Sequence, residues 1–469
     1  MAGPIALQLQ ASLERQPSAI VTIYRARNFV PLWLQNGGLT DDAQKTIAIL
    51  AAADEDGLSA RRYKLPAPPA AKDSDRVKAN FDLQMTGAVL KYANDMRWGA
   101  VLPAKLYDDV SLPHESDDIP SRLLEAAQSG NVHETLRALE PQLPQYALLK
   151  ASLKIYRAAA PWPTIAAGMS AGNLLRLQSR LQAENYLPAT QPGLPVRVLM
   201  AALRTYQTDN GLTPDGKLTD RTLAMLNIPP MARADQIAAN MERWRWLPRD
   251  LGQQYIMVNV PDASLAVVEA GSPTLLSRVV VGAPDKPTPI LEAAAVAVTI
   301  NPAWHVPKSI VENEIQPKLD DNPDYLEEKN MISKDGDVIQ QPGPDNALGV
   351  AKFEMPNPFD VYLHDTPSKH AFLSDDRALS HGCVRVEAIH QLVEKMLGIE
   401  HGKLEELIAA GQTVREPLKQ PVPVYIQYWT ALAGKNRKIV FRQDVYGRDA
   451  RLIAKMFPQH ATVRLASER

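Results

Sequence analysis

The chain has almost no cysteine: Cys383 stands alone among 469 residues. An internal disulfide is therefore excluded, and an exported protein with a single thiol would keep it free and reactive. A lone cysteine is, however, more often a small buried hydrophobic residue than a reactive group. Whether Cys383 is a buried hydrophobic residue or a reactive thiol therefore has to be judged from the residues around it.

Three further absences narrow the class of protein. No apolar run approaches the roughly 18 residues that a membrane span needs. Lys and Arg total 51 against 53 Asp and Glu, a net charge of -2, so charge gives no reason to expect a nucleic-acid partner. The first residues, MAGPIALQLQASLERQ, lack the basic n-region and continuous apolar core of a signal peptide. They predict either a cytosolic protein or a mature form whose export signal has been replaced by Met1.

What is present indicates an ordered protein of several domains. Hydrophobic residues make up 45% and charged residues 22% of a chain long enough for more than one core. Helical periodicity gives way to β-rich runs along the chain, so the predicted fold class is α+β multi-domain. The predicted units are a mainly helical scaffold (1–167), a three-helix module (168–228), a helical linker (229–249), a mixed β-sheet domain (250–447) with a cap inserted at about 301–346, and a C-terminal tail (448–469).

The predicted three-helix module is compact and carries no catalytic residues. Asn210-Gly211 fits the end of its second helix, and Thr219 fits the cap of a third. It resembles the peptidoglycan-binding repeat family through LQSRLQAENYL and ALRTYQTDNGLTPDGKLTDRTLAML. A spacer that binds nothing remains an alternative. Outside the module, Trp244 and Trp246 are predicted to pack between units, and the basic segment 435–455 is predicted to be a solvated face.

The stretch SHGCVRVE, residues 380–387, surrounds the thiol with polar and flexible residues that suit a turn at a site. A thiol is only a few per cent ionised at neutral pH, so a nucleophilic cysteine needs a base or a cation nearby. His364 closes the predicted strand in FDVYLHDTP, on the same face as Tyr362, and is the candidate base. His381 and His370 are weaker candidates.

The turn itself could serve the chemistry. Attack by sulfur on a carbonyl creates an oxyanion, for which the backbone N–H groups of Gly382 and Cys383 are suitable donors. Arg385 could bind a substrate carboxylate, while a structural salt bridge to Glu387 or Asp365 is an equally open interpretation.

The order His364, then Ser380-His381-Gly382-Cys383-Val384-Arg385, resembles the signature of the L,D-transpeptidase catalytic family of YkuD type. The flanking sequence resembles the large, periplasmic, multi-domain branch of that family. The segments that carry this resemblance are MERWRWLP, NPAWHVPKSIVENEI, PGPDNALGVAKFEMPNPFDVYLHDTP and DVYGRD. The resemblance covers nearly the whole chain. It implies a catalytic sheet of β-sandwich type with a cap, and an enzyme of peptidoglycan biosynthesis and cell shape in the periplasm of a Gram-negative bacterium.

The resemblance also implies residue roles. Cys383 would attack the carbonyl of the third residue of a stem tetrapeptide and expel D-Ala, with His364 as base and then acid, oriented by the backbone carbonyl of Asp365. An amine of a second stem would resolve the thioester into a 3→3 cross-link, with no cofactor or metal. Carbapenem β-lactams would acylate the same thiol. The implied oxyanion and substrate contacts are His381, Gly382, Ser380, Arg385, Asp365 and Tyr362, with Trp304 and Tyr325 as possible cap contacts to the glycan or the thioester.

Three alternatives stay open at this point. The same thioester could be released by water, as in an L,D-carboxypeptidase, or by a D-amino acid or a lipoprotein, and 1→3 links are conceivable. His364, His381, Cys383 and Asp365 could instead be zinc ligands. The chain could also be a non-catalytic scaffold that binds the cell wall through its module.

Overall fold

The computed structural model describes residues 3–113, 117–189 and 192–458. The ends of the predicted scaffold and tail at 1–2 and 459–469 lie outside these residues. Among the described residues, no helix is both long enough and apolar enough to cross a membrane.

The N-terminal region is helical, as predicted, around one long helix. That helix begins after Ser74, whose side chain accepts a hydrogen bond from the Val77 amide, and it supplies more buried side chains to the local core than any other element. The elements are α1 (Pro4–Ser12), α2 (Ser18–Ala26), β1 (Leu34–Gln35), β2 (Gly38–Leu39), α3 (Asp41–Ala51), α4 (Asp75–Trp98), β3 (Val110–Ser111), α5 (Ile119–Ser129), α6 (Val132–Ala138) and α7 (Pro144–Ala158).

The three-helix module is present with the predicted helix ends. It consists of α8 (Ala171–Ala183), α9 (Val196–Asp209) and α10 (Asp220–Leu226). Asn210 follows α9, and Gly211 adopts a left-handed conformation with φ of 69°. The Thr219 side chain caps α10 by accepting from the Thr222 amide at 3.3 Å. Local capping chemistry therefore fixes these boundaries.

The predicted linker is a helix, α11 (Pro230–Arg245), and almost all of its side chains are buried. Trp244 stacks on Trp429 with ring centroids 4.1 Å apart. Trp246 donates from its indole nitrogen to the Val101 carbonyl at 3.0 Å. Both tryptophans thus pack between units, which confirms the prediction made for them.

The β-rich region supplies the remaining elements. Its first two strands form a hairpin through the PDAS turn and pair antiparallel from Gln254↔Glu269 to Asn259↔Ser264. The strands are β4 (Gln254–Asn259), β5 (Ser264–Glu269), β6 (Ser272–Gly282), β7 (Ile290–Ile300), β8 (Trp304–His305), β9 (Met331–Lys334), β10 (Asp337–Gln340), β11 (Ala351–Glu354), β12 (Leu363–His364), β13 (Ala378–Ser380), β14 (Val384–Val386), β15 (Val414–Gln427), β16 (Ala431–Ala433) and β17 (Ile439–Phe441). The helices are α12 (Lys308–Ile310), α13 (Gln316–Asp321), α14 (Tyr325–Glu328), α15 (Ile389–Leu397), α16 (His401–Ala409) and α17 (Arg448–Met456).

The main sheet closes on itself. Its strands follow the order β11-β12-β14-β6-β5-β4-β15-β7, and β11 pairs with β7 to complete the ring. A closed ring of strands is barrel-like, so the two separate sheets that a sandwich implies are not formed. The ring encloses a core of aliphatic side chains with Phe353 at its centre, while β3 and β13 pair alongside.

Residues 304–340 form a separate small unit at one edge of the ring. Strands β8, β10 and β9 make a three-stranded antiparallel sheet, and Val306, Ile315 and Val338 form its own apolar cluster. A π-helical stretch, Val311–Ile315, joins α12 to α13. Such stretches are uncommon and recur at functional sites.

The prediction that the basic segment 435–455 is a solvated face is wrong for its helix, α17. Helix α17 packs on α11, and the side chains of Arg448 and Asp449 are only 3% and 7% exposed. Asp449 accepts from the Arg243 guanidinium at 2.6 Å, so an ion pair joins the two helices. The basic residues of this segment suggested exposure, but the hydrophobic face formed by Leu452, Ile453 and Met456 turns the helix inward.

Candidate active site

Strand pairing brings the two main candidates to the same face of the ring. β12 runs parallel to β14 with Leu363 opposite Val384, and both of these side chains are buried in the core. Because side chains alternate along a strand, their neighbours point out of the core. The Val384 amide donates to the Tyr362 carbonyl at 3.0 Å and fixes the register. The outward face carries Tyr362, His364, Cys383 and Arg385.

These side chains line one pocket of about 470 Å³ beneath the 304–340 unit. Of the sequence-predicted residues, the pocket brings together Trp304, Tyr362, His364, Ser380, His381, Cys383 and Arg385. Gly382 lies in the turn without lining the pocket, and Asp365 and Tyr325 lie away from it.

The turn that carries the thiol is braced from within. Ser380 is buried, and its Oγ donates to the Cys383 carbonyl at 2.6 Å while accepting from the Gly382 amide at 3.2 Å. Gly382 has φ of 111°, a conformation that favours glycine, as predicted. Thr288 Oγ1 donates to the Gly382 carbonyl at 2.8 Å. The Gly382 amide is thus engaged, whereas the turn and loop hydrogen bonds of the described residues do not use the Cys383 amide.

The thiol is half-buried at the floor of the pocket. Loss of water around the sulfur raises the pKa of Cys383, because burial disfavours the thiolate. Contacts with Tyr362 and the charges of Lys352 and Arg385 lower this pKa by a smaller amount. The resting site therefore holds a neutral thiol in an environment that still favours negative charge on one side.

The candidate base is buried more deeply. Desolvation, with a smaller contribution from the Arg385 charge, lowers the pKa of His364 to about 3, so its imidazole is neutral at pH 7. The Asp365 backbone opposes this shift, in line with the predicted orienting carbonyl. Nδ1 nevertheless makes no hydrogen bond of ordinary geometry with the described residues. Tyr362 packs edge-on against the imidazole, with ring centroids 5.4 Å apart.

Arg385 forms neither of the two salt bridges, to Glu387 or to Asp365, that the sequence left as alternatives. Glu387 pairs with Arg278, and Asp365 pairs with Lys369. Among the described residues, Arg385 makes no ion pair, and its Nε is buried without a partner. A half-buried guanidinium at the wall of a pocket, without a protein carboxylate, is available to a substrate carboxylate.

Asp365 does not line the pocket; it supports the neighbouring backbone instead. Its carboxylate accepts from the Val350 amide at 3.0 Å, and its own amide donates to the Ala351 carbonyl at 2.9 Å. It thereby anchors the loop before β11, next to the strand that holds His364.

The 304–340 unit contacts the catalytic face at two points. The Trp304 indole interacts with the Tyr362 hydroxyl, beside the thiol. Glu314, in the π-helical stretch, accepts from His381 Nε2 at 2.6 Å and from Lys286 Nζ at 3.2 Å. Tyr325 instead packs within the unit, where Lys318 donates to its hydroxyl at 3.3 Å.

Sequence reasoning missed Lys352, Thr288 and Glu314. Lys352 sits directly opposite His364 across β11 and β12, with its Nζ 4.0 Å from the Tyr362 ring centroid. None of the three lies within ten residues of the thiol or the histidine in sequence. The β11–β12 pairing brings Lys352 beside His364, the segment after β6 brings Thr288 to the catalytic turn, and the 304–340 unit brings Glu314 to His381. No local sequence pattern could have found these three contacts.

The geometry does not support a zinc site formed by the four candidate ligands near the thiol. His381 Nε2 is already bonded to Glu314, and the Asp365 carboxylate faces Lys369. Within the described residues, the His, Cys, Asp and Glu side chains close enough to share an ion are His390, His401 and Glu405, on the far side of the domain on α15 and α16.

Three family models match separate parts of the chain. They are a "Scaffold domain" over residues 18–153, a "Putative peptidoglycan binding domain" over 170–226 and an "L,D-transpeptidase catalytic domain", YkuD, over 253–425.

Individual relatives cover less of the protein. A protein of Haemophilus influenzae, named "Putative L,D-transpeptidase", is 32% identical over 240 residues, which are 46% of this chain and 48% of that protein. The chain therefore spans about half the length of this curated relative. An L,D-transpeptidase structure from Mycobacterium smegmatis is 12% identical with a TM-score of 0.23, covering 37% of this chain and 58% of that one. One from Stackebrandtia nassauensis is 15% identical with a TM-score of 0.23, covering 57% and 97%. TM-scores this low add nothing to the assignment.

Together with the His364 to Cys383 signature in one pocket, the family models settle the classification. The chain carries the L,D-transpeptidase catalytic domain of the YkuD family, with a peptidoglycan-binding domain and an N-terminal scaffold domain.

Proposed function

We propose that the protein cross-links peptidoglycan stem peptides by cysteine acyl transfer. One observation carries the proposal: adjacent strands present the Cys383 thiol and the buried, neutral His364 imidazole to the same pocket. A neutral imidazole can accept a proton, and a thiol that loses its proton during attack is a strong nucleophile.

In the first half-reaction, Cys383 Sγ attacks the carbonyl carbon of stem residue 3. His364 takes the thiol proton as the C–S bond forms. Because the pKa of the thiol is raised and that of the imidazole is lowered, an ion pair is costly at rest, and proton transfer accompanies attack. The tetrahedral oxyanion accepts from the Cys383 amide, with Lys352 and Arg385 adding positive charge. The amide bond to D-Ala then breaks, and the leaving amine takes the proton from His364.

In the second half-reaction, an amine from another stem attacks the thioester carbon. His364 accepts the amine proton, the C–S bond breaks, and the proton returns to the sulfur. The product is a 3→3 cross-link and a restored thiol. The half-buried Arg385 would bind a carboxylate of the donor stem, and the 304–340 unit would act as the cap that covers the thioester, with Trp304 close to the thiol.

We infer from the sequence resemblance that the protein acts in the periplasm of a Gram-negative bacterium, where it would help to set cell shape. The same thiol would open carbapenem β-lactams to a stable acyl-enzyme. Hydrolysis of the thioester, which would make the protein an L,D-carboxypeptidase, or exchange with D-amino acids, is the runner-up, because both use the same first half-reaction.

The test is intact-protein mass spectrometry with disaccharide-tetrapeptide, together with chromatography of the muropeptides. Wild type is compared with Cys383→Ala and with the matched control Ser152→Ala, a buried serine of α7 that does not line the pocket. A thioester that needs Cys383, plus dimers, supports transpeptidation. A thioester with only tripeptide released replaces it with the carboxypeptidase. A protein that folds and forms neither adduct nor product refutes both and leaves a wall-binding scaffold.

A further inference from the structure

A groove of about 870 Å³ separates the peptidoglycan-binding module from the catalytic domain. One wall is α10 and the start of α11, with Arg221, Ala224 and Ile228; the other includes Ala378 of β13 and Ala450 of α17. The groove runs on into a narrower cleft that reaches the end of α9 and shares Arg221 and Ala378 with it. It is larger than the active-site pocket of about 470 Å³, and the active-site mechanism does not use it.

The groove and the active-site pocket share two walls. Along β13, Ala378 lines the groove and Ser380 lines the active-site pocket. Along the loop that follows β6, Pro284 lines the groove and Lys286 lines the pocket. Two residues along a strand span about 7 Å, so on β13 the residues that line the two spaces are close neighbours.

The partition is tightly built. Gly282, at the end of β6, has no room for a Cβ, which would lie 2.2 Å from the Lys286 carbonyl oxygen. Its amide donates to Thr288 Oγ1 at 2.8 Å, and Thr288 in turn holds the Gly382 carbonyl beside the thiol. The edge of the groove is therefore connected to the catalytic turn through one threonine.

The two sides of the groove are held in place relative to each other. Arg442, in the catalytic domain, donates to the Asp209 carbonyl of the module at 2.7 Å and forms an ion pair with Asp262. Asn210 accepts from the Phe441 amide at 2.8 Å. A groove whose walls are fixed in this way loses little conformational entropy on binding.

The groove lining carries three carboxylates as well as arginine. Asp449 pairs with Arg243, while Asp444 and Asp376 accept hydrogen bonds from Tyr428 and from the Ala378 amide, which leaves Arg221 as the charged group of the lining without a described partner. Arg221 is exposed on α10, lines both parts of the groove and makes no ion pair with any described residue. Stem peptides carry free carboxylates, and a guanidinium binds a carboxylate through two parallel hydrogen bonds. The apolar side chains around it, such as Ile228 and Ile453, would contact the sugar and alanine faces.

We propose that this groove binds the acceptor peptidoglycan strand, with Arg221 holding a stem carboxylate, while the donor stem occupies the pocket under the cap. The inference rests on the proposed transpeptidation. Groove and pocket are lined by neighbouring residues of β13, Ala378 and Ser380, so a strand seated in the groove would hold its stem on the side of the domain next to the thioester.

The experiment separates acylation from transfer. Ala224→Trp and Ala450→Trp fill the groove from opposite walls, and Arg221→Gln removes its charge. Leu175→Trp and Arg176→Gln, on the exposed face of α8, are the matched controls. Each protein receives soluble, uncross-linked glycan strands that bear tetrapeptides. Mass spectrometry follows the thioester, chromatography gives the ratio of cross-linked dimer to hydrolysed tripeptide, and thermal melting confirms folding.

We expect the groove variants to acylate at the wild-type rate but to lower the dimer-to-tripeptide ratio at least tenfold, while both controls match wild type. As a second readout, Cys383→Ala protein with Arg221→Gln should bind the strands more weakly than Cys383→Ala alone. An unchanged ratio in folded variants overturns the groove assignment and leaves the proposed function intact. Acylation that falls in step with dimer formation also overturns it, because the groove would then hold the donor. Tripeptide as the only wild-type product refutes transpeptidation itself and, with it, the need for an acceptor site.

Discussion

His381 Nε2 lies 2.6 Å from Glu314 Oε1, so the residue two positions before the thiol is bonded to the cap. Glu314 also accepts from Lys286, on the partition between pocket and groove. Partial burial raises the pKa of Glu314, but its bonds with His381 and Lys286 outweigh this effect and lower the pKa below its usual value. One carboxylate thus joins cap, catalytic turn and partition.

Glu314→Gln should loosen the cap without unfolding the protein. All three side chains are more than a third exposed, and contacts of this kind contribute about 1 kcal/mol or less, which corresponds to about fivefold in a cap-opening equilibrium. Hydrogen exchange of residues 304–340 should therefore quicken by up to about fivefold. Glu312→Gln, in the same stretch but facing solvent, should match wild type. Equal exchange in both variants would mean that Glu314 does not restrain the cap.

The thiol should react as a neutral group at rest. Because desolvation raises the pKa of Cys383, its alkylation by iodoacetamide should climb through pH 8 and reach half its maximum above the ordinary value of about 8.5. The rate constant is measured from pH 5 to 10 by mass spectrometry. A plateau of fast alkylation at pH 6 would instead reveal a resting thiolate–imidazolium pair.

Acid should destabilise the fold through His364. The pKa of this imidazole is about 3 in the folded chain and about 6.5 when unfolded, so the unfolded chain binds the extra proton between these values. The stability it contributes is complete above pH 6.5 and is lost as pH falls toward 3. Each pH unit in this window should cost about 1.4 kcal/mol. Urea unfolding at pH 7, 6, 5 and 4 should show a shallower loss for His364→Gln, and identical slopes would place the imidazole in water.

Removing the Arg245 charge should strongly lower the free energy of unfolding. Arg245 is fully buried, pairs with Glu242 at 2.9 Å and donates to the Tyr146 hydroxyl at 2.8 Å. Arg245→Met leaves the buried Glu242 carboxylate without its cation and should cost about 3–5 kcal/mol of unfolding free energy. Arg176→Met, at the surface, should cost less than about 0.5 kcal/mol. The double variant Arg245→Met/Glu242→Gln should recover part of the loss, and a lack of recovery would show that packing of the arginine matters more than its charge.

Features set by neighbouring residues could be predicted from sequence. The Thr219 cap and the hairpin of β4 and β5 depend on a few adjacent residues, and both are present. Strict alternation likewise separates Leu363 in the core from His364 in the pocket. In each case the chemistry of the residue and its nearest neighbours is enough to fix the geometry.

What sequence could not supply depends on contacts between distant residues. Closure of the sheet into a ring requires β11 to meet β7, some fifty residues earlier, and no periodicity records that pairing. Lys352 lies opposite His364 because β11 pairs with β12, and no sequence pattern gives the register of that pairing. The burial of α17 could not be predicted for a related reason. Its charged residues suggest exposure, and only the fold brings Asp449 opposite Arg243.

Helix α11 lies between the stretches that the family models recognise, since residues 227–252 fall outside all three matches. Yet scaffold, module and catalytic domain all contact this helix, through Val101, Met225 and Trp429 respectively. The scaffold, module and catalytic domain are consequently not interchangeable cassettes. A chimera that exchanges one of them for a homologous unit would have to bring matching partners for this helix, and recombination at the apparent domain borders would cut through the most interdependent part of the chain.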